Sequence, residues 1–110
     1  MFVTMTKAQQ IAEELKQVLT EKLGSNLKEV ILFGSQAYGD ASDDSDYDFL
    51  IILENLPDWR LKRKISEMCY QLDLKYETFI DVHILGKDEL NTLRGKQPIF
   101  QTALKNGIYA

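Results

Sequence analysis

Three aspartates are placed in the sequence where their carboxylates could bind a metal ion together. Asp46 and Asp48 flank Tyr47 at the start of an apolar run, and Asp81 lies inside a later one. Because strand side chains alternate between two faces, Asp46 and Asp48 are expected to project from the same face, and Asp81 can join them if its strand is adjacent. Clustered carboxylates repel one another, so a bound cation would stabilise them, and oxygen ligands favour Mg²⁺ or Mn²⁺.

A second feature could hold phosphate groups beside these carboxylates. The apolar run that ends at Phe33 is followed by Gly34 and Ser35, where a short helix is expected to begin. Free backbone N–H groups at a helix start attract anions, glycine lets a phosphate approach the backbone, and the Ser35 hydroxyl adds a donor. Two metal ions about 3.5–4 Å apart can hold the attacking and the leaving oxygens of a phosphoryl transfer. Together the two features predict a site for a triphosphate.

The elements that must position these residues follow from the spacing of apolar and turn-forming residues. Thr6 and Gln9 have capping-box spacing, and Gly24 is expected to end the helix that follows. Three apolar runs are rich in strand formers, whereas residues 39–45 are glycine, aspartate, serine and alanine and predict a loop. The predicted elements are a helix at about Lys7–Leu23, strands at Glu29–Phe33, Asp46–Leu53 and Thr78–Leu85, a helix opening at Pro57, and short helices near Asp88–Leu93 and Pro98–Lys105, with Gly107 as the last cap.

Composition and charge restrict the class of protein. The chain has 110 residues, so we expect one domain over residues 1–110. The net charge of −4 argues against general nucleic-acid binding, and no apolar run approaches the ~20 residues needed to cross a membrane. Cys69 is the one cysteine, so no intrachain disulfide can form, and a cytoplasmic protein in a reducing compartment is expected. We expect this cysteine to be buried and inert.

The segment Leu32–Ile51 resembles the signature of minimal nucleotidyltransferases, which are small relatives of the polymerase-beta palm. That signature consists of Gly-Ser, a gap, an Asp-x-Asp pair bounded by apolar residues, and a third carboxylate on a later strand. Here ten residues separate Ser35 from Asp46, and Asp81 matches the third carboxylate. The resemblance implies an α/β domain, of the α+β kind, in which a mixed sheet flanked by helices forms a palm-like fold.

The resemblance also implies a role for each motif residue. Gly34 and Ser35 would contact the triphosphate of ATP. Asp46 and Asp48 would bind both metal ions, Mg²⁺ or Mn²⁺, and Asp81 would bind one of them and help to deprotonate the acceptor hydroxyl. That hydroxyl would attack the α-phosphate and release pyrophosphate, so that a nucleoside monophosphate, AMP in the case of ATP, is transferred.

Chains this short resemble the members of the family that pair with a separate HEPN-type protein. In such pairs the minimal partner is an antitoxin, which neutralises a toxic ribonuclease by transferring AMP to it, by binding it, or both. A first alternative is a nucleotidyltransferase fold that acts by complex formation alone, because Gln36 and Tyr38 stand where many members have arginines. A second alternative is a small-molecule transferase similar to aminoglycoside nucleotidyltransferases, which usually carry an additional helical domain.

The remaining polar residues near the motif receive structural interpretations. Asp40, Asp43 and Asp44 lie in the predicted loop, where aspartate commonly bonds its own backbone. His83 shares the predicted strand face of Asp81, and we expect a hydrogen-bonded structural histidine at that position.

Overall fold

The structure of the protein is a computed structural model that describes residues 5–38 and 46–110. The predicted loop at 39–45, with Asp40, Asp43 and Asp44, lies outside the described residues. The helices and strands follow in the order α1 (Lys7–Leu23), β1 (Leu27–Phe33), α2 (Ser35–Tyr38), β2 (Tyr47–Leu53), α3 (Trp59–Tyr76), β3 (Ile80–Gly86), α4 (Pro98–Asn106) and β4 (Ile108–Tyr109). Short 3₁₀ helices at Gly24–Asn26 and Lys87–Asn91 follow α1 and β3.

Helix α1 begins and ends where its sequence requires. The Thr6 hydroxyl accepts a hydrogen bond from the Gln9 N–H, and the Gln9 side chain accepts one from the Thr6 N–H, which completes the predicted capping box. At the other end Gly24 has φ = 55° and ψ = −128°, a positive-φ conformation that glycine adopts readily because it has no Cβ. None of the helices in the described part of the chain is long and apolar enough to cross a membrane.

Four strands form one mixed sheet in the order β3-β2-β1-β4. β1 pairs antiparallel with β2 and with β4, whereas β2 and β3 are parallel. A parallel pair needs a long crossover connection, and α3 supplies it. The predicted mixed sheet flanked by helices is therefore confirmed.

The central strand β2 is apolar on both sides because helices cover both faces of the sheet. Phe49, Ile51 and Leu53 pack into the larger core with residues of α1 and α3. Leu50 and Ile52 point the other way, into a smaller core that is closed by α4. Burial on both faces explains why β2 is a continuous apolar run after Asp48 rather than an alternating pattern.

The strand boundaries differ from the prediction by one or two residues. β2 begins at Tyr47, whose N–H donates to Phe79 O over 2.8 Å, so Asp46 precedes the strand. β3 begins at Ile80 because Glu77 ends α3 in the left-handed conformation, with φ = 54°, and the chain turns before the strand starts. Strand β4 was not predicted, because two residues are too few to show an alternating pattern.

Candidate functional site

Asp48 and Asp81 lie on the face of the sheet that α4 covers. Side-chain alternation places Asp48 on the same side of β2 as Leu50 and Ile52, which belong to the smaller core. In the parallel register Asp48 lies directly opposite Asp81 on β3. The strand that carries Asp81 is therefore adjacent to the strand that carries Asp48, as the predicted site requires.

Asp48, Asp81 and His83 form a cluster that could hold a divalent metal ion. Each residue contributes one ligand atom, and these atoms lie within 4.8 Å of one another. Asp81 Oδ2 and His83 Nε2 are 3.5 Å apart. Carboxylates bind Mg²⁺ and Mn²⁺, and imidazole binds transition-metal ions, so the residues present fit such an ion.

Asp46, the remaining carboxylate predicted for the site, lies at its edge. It is exposed and is not among the three residues whose ligand atoms cluster within 4.8 Å. The Asp46 carboxylate nevertheless raises the pKa of Asp48 by charge repulsion. Side chains alternate regularly between faces only within a strand. Because Asp46 lies one residue before β2, strand pairing does not fix the direction of its side chain.

The surroundings of Asp48 raise the pKa of its carboxyl above the ordinary value. Burial is the largest cause, because it penalises the charged form, and repulsion from the Asp81 carboxylate is the next. Asp46 acts in the same direction, whereas His83 lowers the pKa of Asp48. A cation bound between the carboxylates would offset the cost of ionising this residue.

The backbone of Gly34, in the Gly34-Ser35 motif, lies against Asp48. It has φ = 75°, and a Cβ at this position would overlap Asp48 Oδ2 and lie 3.2 Å from Asp48 Cγ. Its carbonyl accepts hydrogen bonds from the N–H groups of Ala37 and Tyr38, at 3.1 and 3.2 Å, which closes the single turn of α2. Ser35 begins this turn. The unit of strand, Gly-Ser and helix that the sequence predicts therefore lies beside Asp48, which is paired with Asp81.

His83 does not have the hydrogen-bonded environment that was expected for it. Its ring lies near the rings of Phe33 and Phe100, with centroids 5.7 Å from each. Its Nε2 is buried and has no hydrogen-bond partner among the described residues, and 3.5 Å to Asp81 Oδ2 is too long for a good hydrogen bond. No local sequence pattern indicates this environment, because the three rings belong to three separate elements, β1, β3 and α4.

Asp73, near the end of α3, fixes the start of β3 and so the position of Asp81. Its Oδ1 accepts a hydrogen bond from the Ile80 N–H over 2.8 Å. Its backbone carbonyl accepts another from the Thr78 N–H over 3.1 Å. Because Ile80 immediately precedes Asp81, these bonds help to set the register that brings the two carboxylates together.

An open pocket of about 400 Å³ surrounds the cluster, within the usual range of about 300–1,000 Å³ for small-molecule sites. One wall consists of Pro98, Ile99 and Thr102 of α4, with Tyr38 of α2 nearby. The three α4 residues were not among the predicted site residues. Their only sequence signal was weak, since Pro98 is typical of the first turn of any helix.

The chain matches the family model of the nucleotidyltransferase domain over residues 12–108. It is 37% identical over 78 residues to "Putative protein adenylyltransferase MJ0141" of Methanocaldococcus jannaschii, which covers 71% of this chain and 79% of the relative. It is 32% identical over 79 residues to "Putative protein adenylyltransferase MJ0604" of the same organism, which covers 72% of this chain and 74% of the relative.

Solved structures share the fold at low sequence identity. A mutant of the toxin–antitoxin MntA–HpeT superposes with a TM-score of 0.59 at 15% identity, over 88% of this chain and 70% of that chain. A toxin–antitoxin crystal structure with AMP-PNP superposes with a TM-score of 0.56 at 18% identity, over 88% of this chain and 70% of that chain. These likenesses show the same mixed arrangement of sheet and helices.

Proposed function

Because the chain belongs to the nucleotidyltransferase domain family, we propose that it transfers AMP from ATP to a hydroxyl group of a HEPN-type toxin and so acts as its antitoxin. The observation that carries the proposal is the placement of Asp48, which lies opposite Asp81 in the parallel ladder and against Gly34 of the phosphate motif. A carboxylate pair thus adjoins the backbone where a triphosphate would bind. The names of the relatives support adenylyl transfer, and the toxin–antitoxin structures support the kind of partner.

In this proposal Asp48 and Asp81 hold the divalent metal, with Asp46 completing the carboxylate set. Bound Mg²⁺ or Mn²⁺ would neutralise charge that develops on the α-phosphate and lower the pKa of the acceptor hydroxyl. The raised pKa of Asp48 supports its assignment, because a carboxylate that is costly to ionise alone gains most from a neighbouring cation.

Gly34 and Ser35 bind the triphosphate. Gly34 has no Cβ, so a phosphate oxygen can approach the backbone closely. The Ser35 hydroxyl and the first N–H groups of α2 are hydrogen-bond donors to that phosphate. Both residues lie at the end of β1, next to Asp48 on β2, so a triphosphate held there adjoins the metal-binding pair.

Asp81 takes the proton of the acceptor hydroxyl. Its side chain is 55% exposed, so a side chain of a partner protein can reach it from solvent. The hydroxyl oxygen forms a bond to the α-phosphorus while the bond to the bridging oxygen breaks. Pyrophosphate leaves with the electron pair of that bond, and AMP remains on the acceptor.

A labelling assay tests the proposal. The chain is incubated with Mg²⁺, with ATP labelled in its α-phosphate and with the protein that co-purifies with it. We expect label on the partner. Asp48→Asn and Asp81→Asn should each reduce labelling by about a hundredfold or more, because a lost metal ligand removes several kcal/mol of transition-state stabilisation. Asp88→Asn is the matched control, since this exposed aspartate lies in the 3₁₀ helix after the far end of β3, and labelling should be unchanged. Full labelling by Asp48→Asn would contradict the site assignment.

A second candidate function is neutralisation of the partner by binding alone. The turn α2, Ser35–Tyr38, contains Gln36 and Tyr38 and carries no positive charge, although many family members have arginines at these positions. Such a motif would hold a triphosphate less tightly. The same assay distinguishes the two functions. If the wild-type chain and Asp48→Asn both form a tight complex with the partner and neither labels it, the second function is favoured.

A further inference from the structure

We propose that His83 is a direct ligand of the metal ion and gives the site a preference for Mn²⁺ over Mg²⁺. The inference rests on the metal-dependent function proposed above. It adds a nitrogen ligand to a motif whose predicted ligands are all carboxylates.

The distances allow one ion to contact all three side chains of the cluster. Because metal–oxygen and metal–nitrogen bonds are about 2.0–2.2 Å long, two atoms bound to one ion lie about 3–4.4 Å apart. Asp81 Oδ2 and His83 Nε2 are 3.5 Å apart, which is inside that range. The ligand atoms of the whole cluster, Asp48 included, lie within 4.8 Å of one another, so small side-chain movements bring all three onto one ion.

The imidazole is held in this position by packing rather than by hydrogen bonds to Nε2. The Phe33 ring is tilted by 48° to the His83 ring, and the Phe100 ring meets it edge-on at 70°. Neither ring offers a hydrogen-bond acceptor, and Nε2 has no partner among the described residues. A buried polar atom without a partner costs about 1–3 kcal/mol, and an ion bound in the cluster would satisfy it.

The competing role for His83 is a direct hydrogen bond that positions Asp81. A good N–H···O bond spans about 2.7–3.2 Å, and the separation of 3.5 Å between Nε2 and Asp81 Oδ2 exceeds that. A shared ion accounts for both the longer separation and the missing partner, whereas a hydrogen bond would have to form by closing the gap.

An imidazole ligand changes which ion the site favours. Mg²⁺ takes oxygen ligands, demands near-ideal octahedral geometry and keeps several of its water molecules. Carboxylates suit Mg²⁺ and Mn²⁺ alike, whereas imidazole nitrogen suits transition metals. A site with two carboxylates and one imidazole should therefore bind Mn²⁺ more tightly than Mg²⁺.

Pulsed electron paramagnetic resonance of bound Mn²⁺ tests the ligand directly. The chain contains one histidine, so in protein without a purification tag any imidazole nitrogen coupled to Mn²⁺ belongs to His83. The measurement uses Mn²⁺ without nucleotide, because adenine also carries nitrogen. We expect nitrogen coupling in the wild-type spectrum and none in His83→Phe.

His83→Phe is the matched variant for binding measurements, since it keeps an aromatic ring against Phe33 and Phe100 and removes both nitrogens. Calorimetric titration should show Mn²⁺ affinity reduced by about tenfold or more, because the loss of a group that merely supports a metal ligand already costs about 10–100-fold. The affinity for Mg²⁺ should change little. An unchanged circular dichroism spectrum shows that the variant is folded.

The outcomes separate this inference from the proposed function. Bound Mn²⁺ without nitrogen coupling, together with equal Mn²⁺ affinity in wild type and His83→Phe, would overturn the ligand assignment. Failure of Mn²⁺ to bind either protein would overturn it as well. The proposed function is decided independently, by whether label from ATP reaches the partner in the presence of Mg²⁺.

Discussion

Ionisation of the Asp48 carboxyl is unfavourable in the folded protein. Burial and the Asp81 carboxylate raise its pKa, so the folded state disfavours the ionised form. A carboxyl whose folded pKa lies above its unfolded value stabilises the fold while it is protonated, and that contribution is lost as the pH rises through the folded pKa. Without a bound cation, this residue therefore lowers the free energy of unfolding at neutral pH.

Asp48→Asn should raise the melting temperature at neutral pH in the presence of a chelator, although the proposed function predicts that the same variant loses transfer activity. The amide keeps the shape of the side chain and carries no charge, so the cost of burying a carboxylate beside Asp81 disappears. The gain should shrink as the pH falls toward the ordinary aspartate value of 3.8, where the wild-type carboxyl is itself protonated. Thermal melts over a pH series check this, with Asp88→Asn as the control for a general loss of negative charge. A lower melting temperature for Asp48→Asn at neutral pH would contradict the argument.

Cys69 should be chemically inert while the protein is folded. Its side chain is buried in the larger core, and burial, with a smaller effect from Asp73, raises the pKa of the thiol to about 12. A free cysteine has a pKa of about 8.5, so the thiolate fraction at pH 8 is lower by about a thousandfold. Alkylation by iodoacetamide at pH 8 should be slower than that of a model peptide by at least this factor. In denaturant the two rates should become equal, and equal rates under native conditions would show that the thiol is accessible.

Some site residues could be predicted from the sequence and others could not. The placement of Asp48 could be, because strand alternation and motif spacing are both local properties. The placement of Asp81 beside it was predicted only on the condition that its strand is adjacent to β2, which depends on pairing between distant segments. The exact position of Asp46 could not, because it depends on where the ladder begins. The environment of His83 could not either, because it requires the ring of Phe33 on β1 and that of Phe100 on α4 to meet a residue of β3.

The turn that joins α3 to β3 sets the register that places Asp81 opposite Asp48. Asp73 Oδ1 accepts from the Ile80 N–H, and Glu77 reverses the chain direction in the left-handed conformation. Without these two features the strand could start at a different residue, and a shift of one residue would turn Asp81 to the opposite face of the sheet.

Asp73→Ala should lower the free energy of unfolding by about 1–3 kcal/mol, because the Ile80 N–H loses its partner. Asp73→Asn keeps an acceptor oxygen and should retain most of the stability. Burial raises the pKa of Asp73, so the uncharged amide is not at a disadvantage there. Urea denaturation of both variants measures the difference. Equal losses in Ala and Asn would show that the negative charge, and not the hydrogen bond, is what stabilises the turn.

Glu77→Gly should raise the free energy of unfolding by about 0.5–1 kcal/mol. Glu77 has φ = 54°, a conformation that costs a residue with a Cβ about 1–2 kcal/mol, and the greater freedom of glycine in the unfolded chain offsets part of the gain. Urea denaturation is again the measurement. Glu77→Ala is the control, because it removes the carboxylate and keeps the Cβ, and a similar gain in Ala would assign the effect to the side chain rather than to the backbone.

The overall architecture follows from the sequence only in part. Apart from β4, the order of the elements was predicted correctly, and so were the ends of α1, because caps and apolar periodicity are local signals. The strand order β3-β2-β1-β4 was not predicted, because it depends on pairing between distant segments. The unequal number of helices on the two faces of the sheet was not predicted either. α1 and α3 pack against one face and α4 against the other, and the site occupies the less covered face.

The parallel pairing of β2 with β3 has a consequence for the order of events during folding. β1 and β2 are joined by a short connection and can pair early, whereas β3 arrives after the whole of α3, and contacts between distant segments form slowly. Until β3 docks, the chain presents Asp48 without Asp81 or His83 beside it. In the proposed function, metal affinity would therefore arise only once β3 has paired with β2, and an ion bound between Asp48 and Asp81 would stabilise that pairing.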